Sequence, residues 1–262
     1  MENCKVQNGQ LNFIKKPLRG ENIRCQGEDL RVNQVVMEKG RKIRAVDIAQ
    51  LSSLGLKRIN VFKKLKIGVF SSGNEIIQTF KKKQFTIFDA NKDTLIAMIH
   101  KIGCEPYDLG IIKDDLSETK KNILKNLSKY DLIITTGGIS TSKQDNVSKF
   151  FSNFGQIKFW RLAVKPGRPI AFGLLRNKPF IGLPGNPVAA IVTFLMLITD
   201  YLKQLSGNRN LENIERFLPA NFTMKKKVGR TEWLRGSIKI INKKEKLERF
   251  SKTGSGIISS IS

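Results

Sequence analysis

The chain has 262 residues, 40% of them apolar, with a formal charge of +25 from 47 Lys and Arg against 22 Asp and Glu. That apolar share can fill a sizeable core, which excludes global disorder, and the charge favours anionic ligands over acidic partners. The lysines are dispersed rather than interleaved with aromatics, so they read as a solvated surface and not as a nucleic-acid groove; the single histidine, His100, excludes His-based triads and His-ligated zinc.

Residues 1–62 carry short β-like pieces and turn signals, Gly20-Glu21-Asn22-Ile23-Arg24 and Gly27-Glu28-Asp29-Leu30. One short helix is predicted over Ala45–Leu54, ended by Gly55. From Leu65 the pattern alternates. A strand over Leu65–Phe70 ends at Ser71-Ser72-Gly73, and a helix over Lys92–Ile102 sets Leu95, Ile96, Ile99 and Ile102 at helical spacing. A strand over Glu105–Ile111 precedes a capping-box sequence, Asp115-Leu116-Ser117-Glu118, that opens a helix through Leu127. A buried-type strand over Asp131–Thr135 ends at Gly137-Gly138, and a short helix follows over Asp145–Phe151. Strands over Ile170–Leu174 and Phe180–Leu183 lead to Asn186-Pro187, a helix-start pair, and that helix runs to Leu205 and stops at Gly207. Beyond it, Phe222–Val228, Glu232–Ile241 and Leu247–Ser251 read as short strands.

These patterns predict an α/β fold: a partial N-terminal domain (1–62), a three-layer α/β domain (63–207) and a small, incomplete β domain (208–262). Loops at the strand C-termini are where a ligand is expected. Cys4, Cys25 and Cys104 lie far apart without metal-ligand spacing, and the N-terminus has no signal-peptide core. The longest apolar stretch, Val188–Ile198, is too short to span a bilayer. Together these predict a cytoplasmic protein with reduced thiols and no membrane contact.

Six loops are candidates for chemistry. In Ser71-Ser72-Gly73-Asn74-Glu75 the hydroxyls and amides can hold a phosphate, and Glu75 can ligate a metal or act as a base; a plain turn is the alternative. Asp89 or Asn91 caps the next helix, or else points a polar group into the cleft. Asp115 reads as an N-cap, which leaves Asp114 free to bind a hard cation such as Mg²⁺. Thr135-Thr136-Gly137-Gly138, with Ser140 and Asp145, is the strongest candidate, because paired glycines admit a ligand to the backbone. Arg161, Lys165 and Arg168, beside two prolines, form an oxyanion clamp. Gly185-Asn186-Pro187-Val188 offers helix-start amides beside the preceding strand.

Taken in order, these motifs together with Gly182-Leu183-Pro184-Gly185-Asn186-Pro187, Gly229-Arg230 through Trp233-Leu234-Arg235-Gly236, and Gly254-Ser255-Gly256 resemble the molybdopterin molybdenumtransferase family, of the MoeA or gephyrin E-domain type. The resemblance runs from about Pro17 to the end, and against the family pattern the chain looks shortened at both ends. It implies an enzyme of molybdenum-cofactor biosynthesis that inserts molybdate into adenylylated molybdopterin, with Mg²⁺, and releases AMP. By motif match Asp29, Glu75, Asp114, Asp145 and Lys165 would be catalytic, with Glu75, Asp114 and Asp145 on the metal. Ser72, Gly73, Asp89, Asn91, Thr136, Gly137, Gly138 and Ser140 would line the pterin-phosphate site; Arg161 and Arg168 would face phosphate or molybdate. Pro184, Gly185, Asn186 and Pro187 would shape the pocket, and Arg235 and Ser255 would bind molybdate. A homodimer, with an adenylyltransferase of the same pathway as partner, is also implied. Asn74 stands where the family commonly has Asp, Ser142 where it has Gly, and Arg161 and Arg168 where it often has Lys. Two other readings compete: an adenylyltransferase-type molybdopterin-binding module, and a non-catalytic scaffold.

Overall fold

The computed structural model describes residues 4–16, 18–78, 84–113, 115–139, 146–209, 215–226, 228–252 and 254–261. The chain divides into two compact units, Met1–Arg41 and Lys42–Ser262.

The first unit holds a hairpin, β1 (Cys4–Gln7) against β2 (Gln10–Phe13), antiparallel with Gln7 opposite Gln10. Asn8 and Gly9 turn it with φ of 52° and 76°, the left-handed pair that matches strand twist in a two-residue hairpin. Turns follow to Arg41, and Asp29 sits on them, exposed.

The second unit opens with α1 (Ala45–Ser53). The elements that follow are β3 (Lys66–Ser72), β4 (Ile76–Ile77), β5 (Ile87–Phe88), α2 (Asn91–Lys101), β6 (Glu105–Ile112), α3 (Leu116–Leu127), β7 (Leu132–Thr136) and α4 (Asn146–Phe154). Next come β8 (Gln156–Trp160), β9 (Val164–Lys165), β10 (Ala171–Leu175), β11 (Lys178–Leu183), α5 (Pro187–Thr193), a π-helical turn at Phe194–Ile198, and α6 (Thr199–Leu205). The last elements are β12 (Thr231–Glu232), β13 (Gly236–Ile241), β14 (Lys244–Arg249) and a 3₁₀ turn at Ile258–Ser260.

Six strands make one mixed sheet in the order β6-β3-β7-β11-β10-β8. The first four are mutually parallel; β10 runs antiparallel to both β11 and β8. Because side chains alternate across a strand, the sheet buries two separate cores. On one face Ile67, Val69, Leu132, Ile134, Ile181 and Leu183 pack under α2, α5 and α6. On the other, Phe70, Ile133 and Phe180 pack under α3 and α4, with Phe150 and Phe151. Helices on both faces explain why β7 is buried at every position and apolar over Leu132–Ile134.

Pro187–Leu205 is one continuous rod of 19 residues, long and apolar enough by length and composition to cross a membrane. Its apolar side, with Ala190, Phe194, Ile198 and Leu202, is a face of the core.

The C-terminal segment differs from the strands expected there. Residues 222–226 pair with no strand, although Phe222–Val228 read as one. The run expected over Glu232–Ile241 is interrupted. Thr231–Glu232 pairs in parallel with β9, and the chain then leaves to form the β13–β14 hairpin, closed by Asn242 and Lys243 with φ of 52° and 60°.

Candidate functional site

The carboxyl ends of β3, β7 and β11 lie side by side and point one way, and β8, two antiparallel steps from β11, points the same way. Their loops therefore meet on one rim. Gly137 has φ +81°, and a Cβ there would sit 2.4 Å from the Ser72 carbonyl oxygen, so the β3 and β7 loops touch backbone to backbone. The Gly137 amide donates to the Leu183 carbonyl at 3.1 Å, which draws in the β11 loop. Only glycine fits such a junction.

Asn91 locks it. Its side-chain amide donates to Thr136 Oγ1 at 2.9 Å and to the Gly185 carbonyl at 2.7 Å, while Thr136 Oγ1 donates to the Pro184 carbonyl at 3.0 Å. Of the two readings of Asp89 and Asn91, both hold in part. Asp89 Oδ1 accepts from the Lys92 amide at 3.1 Å at the helix start, and Asn91 turns inward. Asp115 caps α3, accepting from the Glu118 amide and the Ser117 hydroxyl at 2.7 Å each, and these bonds hold its carboxyl below the usual range.

A cleft of about 600 Å³ opens on the rim. Ser72, Glu75, Asp89, Asn91, Gly137, Gly138, Arg161, Arg168, Pro184, Gly185, Asn186 and Pro187 line it. Gly73 lies under the folded Glu75 carboxylate, and Thr136 is buried beneath Asn91. One wall is apolar: Ile76, Ile87 and Phe88, from the short β4 and β5. Arg161 reaches the cleft from a backbone φ of +71°, a left-handed conformation uncommon outside glycine.

A second cavity of about 290 Å³ adjoins the first and shares Arg168, Pro169, Pro184 and Asn186 with it. Lys165, Arg235 and Ser255 line it with Arg230, Arg249 and Lys252. Lys165 Nζ lies 2.7 Å from Glu232 Oε1, and that hydrogen bond holds the Glu232 carboxyl below the usual carboxylate range. The Arg235 guanidinium donates to the Gly254 carbonyl at 3.0 Å and to Ser260 Oγ, which fixes the C-terminal segment.

The helix-start amides expected to be free are partly used. Val188 N donates to the Ser255 carbonyl at 3.0 Å, Pro187 has no N–H, and Asn186 Nδ2 donates to Ser255 Oγ at 3.0 Å instead of capping. Asp114, Ser140 and Asp145 fall outside the described residues. Asp29 belongs to the first unit. Among the described residues no three His, Cys, Asp or Glu side chains group as a metal site.

Lys92 was not anticipated. It is fully buried, with Nζ 3.0 Å from Asp108 Oδ1 and 3.9 Å from Asp89 Oδ2, and neither contact has hydrogen-bond geometry. Its spacing to Leu95 and Ile99 places it on the apolar face of α2, a signal present in the sequence.

Residues 68–204, more than half of the chain, match the family described as "Probable molybdopterin binding domain". The molybdopterin molybdenumtransferase of Haemophilus influenzae is 38% identical over 232 residues, covering 88% of this chain and 57% of the relative. The crystal structure of a molybdopterin biosynthesis moeA protein from Pyrococcus horikoshii OT3 superposes with a TM-score of 0.78 at 27% identity, covering 99% of this chain and 63% of that one. The chain belongs to the MoeA-type molybdopterin-binding family. A molybdopterin molybdenumtransferase of a Nostoc species is 26% identical over 79% of this MoeA-type chain and 48% of its own length. This MoeA-type chain thus spans roughly half to two-thirds of the length of these relatives.

Proposed function

We propose that this site serves molybdenum-cofactor biosynthesis: it takes adenylylated molybdopterin and molybdate, and yields the molybdenum-loaded pterin and AMP. The observation that carries the reading is the pair of adjoining cavities with Arg168, Pro169, Pro184 and Asn186 in common. One cavity combines an apolar wall with a glycine cradle, which suits a flat ring bearing phosphates. The other is strongly cationic, which suits a tetrahedral dianion. A shared wall brings the two reactants together, the main requirement of a transfer between them.

In this reading Ile76, Ile87 and Phe88 pack the pterin ring, and the Gly137-Gly138 backbone admits its phosphate. Arg161 and Arg168 neutralise the pyrophosphate, while Lys165, Arg235 and Ser255 receive molybdate. Mg²⁺, held by Glu75, Asp114 and Asp145, would offset the charge of the bridging phosphates. Glu75 is the described carboxylate of that set, and it lines the cleft. Asp29 is proposed as a further catalytic carboxylate, and residues 1–62, 63–207 and 208–262 as the functional segments. We place the protein in the cytoplasm as a homodimer that receives its substrate from the adenylyltransferase of the pathway.

The test is molybdate-dependent release of AMP from adenylylated molybdopterin with Mg²⁺. Arg168→Ala should weaken both nucleotide and molybdate binding, since both cavities use that side chain. A folded protein that neither binds the adenylylated pterin nor releases AMP would refute the reading.

A further inference from the structure

The second cavity contains one chemical contradiction. Six Lys and Arg side chains line it, and among the described residues lining it Glu232 is the lone carboxylate. A fixed negative charge in an oxyanion pocket opposes the ligand. Its position is nevertheless tightly specified. The parallel pairing of β12 with β9 sets Glu232 opposite Lys165, and the Trp233 amide donates to the Lys165 carbonyl at 2.9 Å. Lys165 Nζ reaches Glu232 Oε1 at 2.7 Å, although the lysine side chain is 56% exposed and could extend into the cavity. Arg249 and Lys226 add their fields to the same carboxylate. Glu232 therefore sits among these cations much as a bound anion would.

We propose that Glu232 is a built-in competitor for the oxyanion: it holds the Lys165 ammonium, and a tetrahedral dianion binds by exchanging that ammonium from the carboxylate to itself. The inference rests on the oxyanion reading of the second cavity. The physical consequence is a charge filter. A dianion draws about twice the Coulomb energy from Lys165 that a single carboxylate does, and it displaces Glu232. A monoanion draws no more than Glu232 already provides and gains little by exchange, so chloride is kept out. Glu232 thus sets specificity by acting through Lys165, and need not touch the ligand.

Calorimetric titration of molybdate into the whole chain tests this, using the parent protein, E232Q, K165M and the double variant, each checked for an unchanged circular dichroism spectrum. E232Q should tighten molybdate binding about three- to fivefold, the scale of a partly exposed ion pair, and should make binding newly sensitive to chloride. In the K165M background the same change should gain clearly less, because only the direct repulsion of the ligand by the carboxylate remains once the ammonium is gone. An equal gain in both backgrounds would show a general field effect and overturn the exchange. Weaker binding by E232Q would show that Glu232 presents Lys165 to the ligand, and would overturn it as well. If none of the four proteins binds molybdate, the oxyanion site itself is wrong and this inference falls with it.

Discussion

The side-chain amide of Asn91 donates to the Gly185 carbonyl at 2.7 Å, across 94 residues of sequence. With its second bond to Thr136 Oγ1, it ties the start of α2 to the loops after β7 and β11. Asn91 is 7% exposed and its bond to Thr136 Oγ1 is buried, so water cannot replace that bond cheaply. Asn91→Ala should destabilise the protein by about 1–3 kcal/mol, since the buried Thr136 hydroxyl and the part-buried Gly185 carbonyl lose their donor. Urea denaturation measures the loss. Pterin-nucleotide binding should weaken more than tenfold, because the loops that wall the cleft are no longer joined.

Lys92 is the charged counterpart of that clamp. Its ammonium has no exposed surface, and Asp89, whose side chain is 3% exposed, has little water to turn to. Lys92→Met should therefore cost about 3–5 kcal/mol, as removal of one partner of a buried pair typically does. Asp108 is 47% exposed and can be solvated, so the cost should fall mainly on Asp89. Guanidinium melts of K92M, D108N and the double variant would show this: D108N should recover little of the K92M loss.

Gly137→Ala combines an unfavourable φ of +81° with a contact of 2.4 Å to the Ser72 carbonyl oxygen. The left-handed conformation alone costs about 1–2 kcal/mol, and relief of the contact must part the β3 and β7 loops. Ligand binding should be lost. Gly256→Ala, where a new Cβ meets nothing within 4 Å, should leave stability nearly unchanged. Parallel thermal melts of the two variants test the contrast.

The Lys165–Glu232 bond gives a pH signature. The carboxyl is held below its usual value of 4.5, so its contribution to folding is complete above that value and disappears as pH falls through the lower folded-state value. Trp233 follows Glu232 directly, so its fluorescence reports the step. An acid titration of the parent protein should show a transition below pH 4.5 that E232Q lacks.

Much of this was legible in the chain. Apolar runs ended by glycine marked β3, β7 and β11, because strands buried on both faces leave a continuous hydrophobic signal. The Gly137-Gly138 and Gly185-Asn186-Pro187 loops were legible as cleft walls for a local reason: glycine and proline report backbone demands directly. Asn8-Gly9 carries a hairpin signal of the same kind that the reading of residues 1–62 passes over. What depends on distant pairing was not legible. Glu232 is a routine surface carboxylate until β12 is laid beside β9. The spacing of Lys92 to Leu95 and Ile99 signalled a buried position, but its partners Asp108 and Asp89 were not legible until the fold closed them round it. Val188 N would have been an open anion donor had Ser255 not reached it from the C-terminal segment.

The order of the sheet has a last consequence. Gly137 leaves β7, a strand flanked on both sides, whereas Arg161 leaves β8, an edge strand of the sheet, and Lys165 and Arg168 follow in the same excursion. Amide hydrogens in β7 should exchange only when the whole unit opens, while those of β8 should exchange through fraying of the margin. The cradle and the cations then have separate lifetimes. A bound polyanion would slow deuterium uptake over 156–170 far more than over 132–136, and so would act as the missing stitch along that margin.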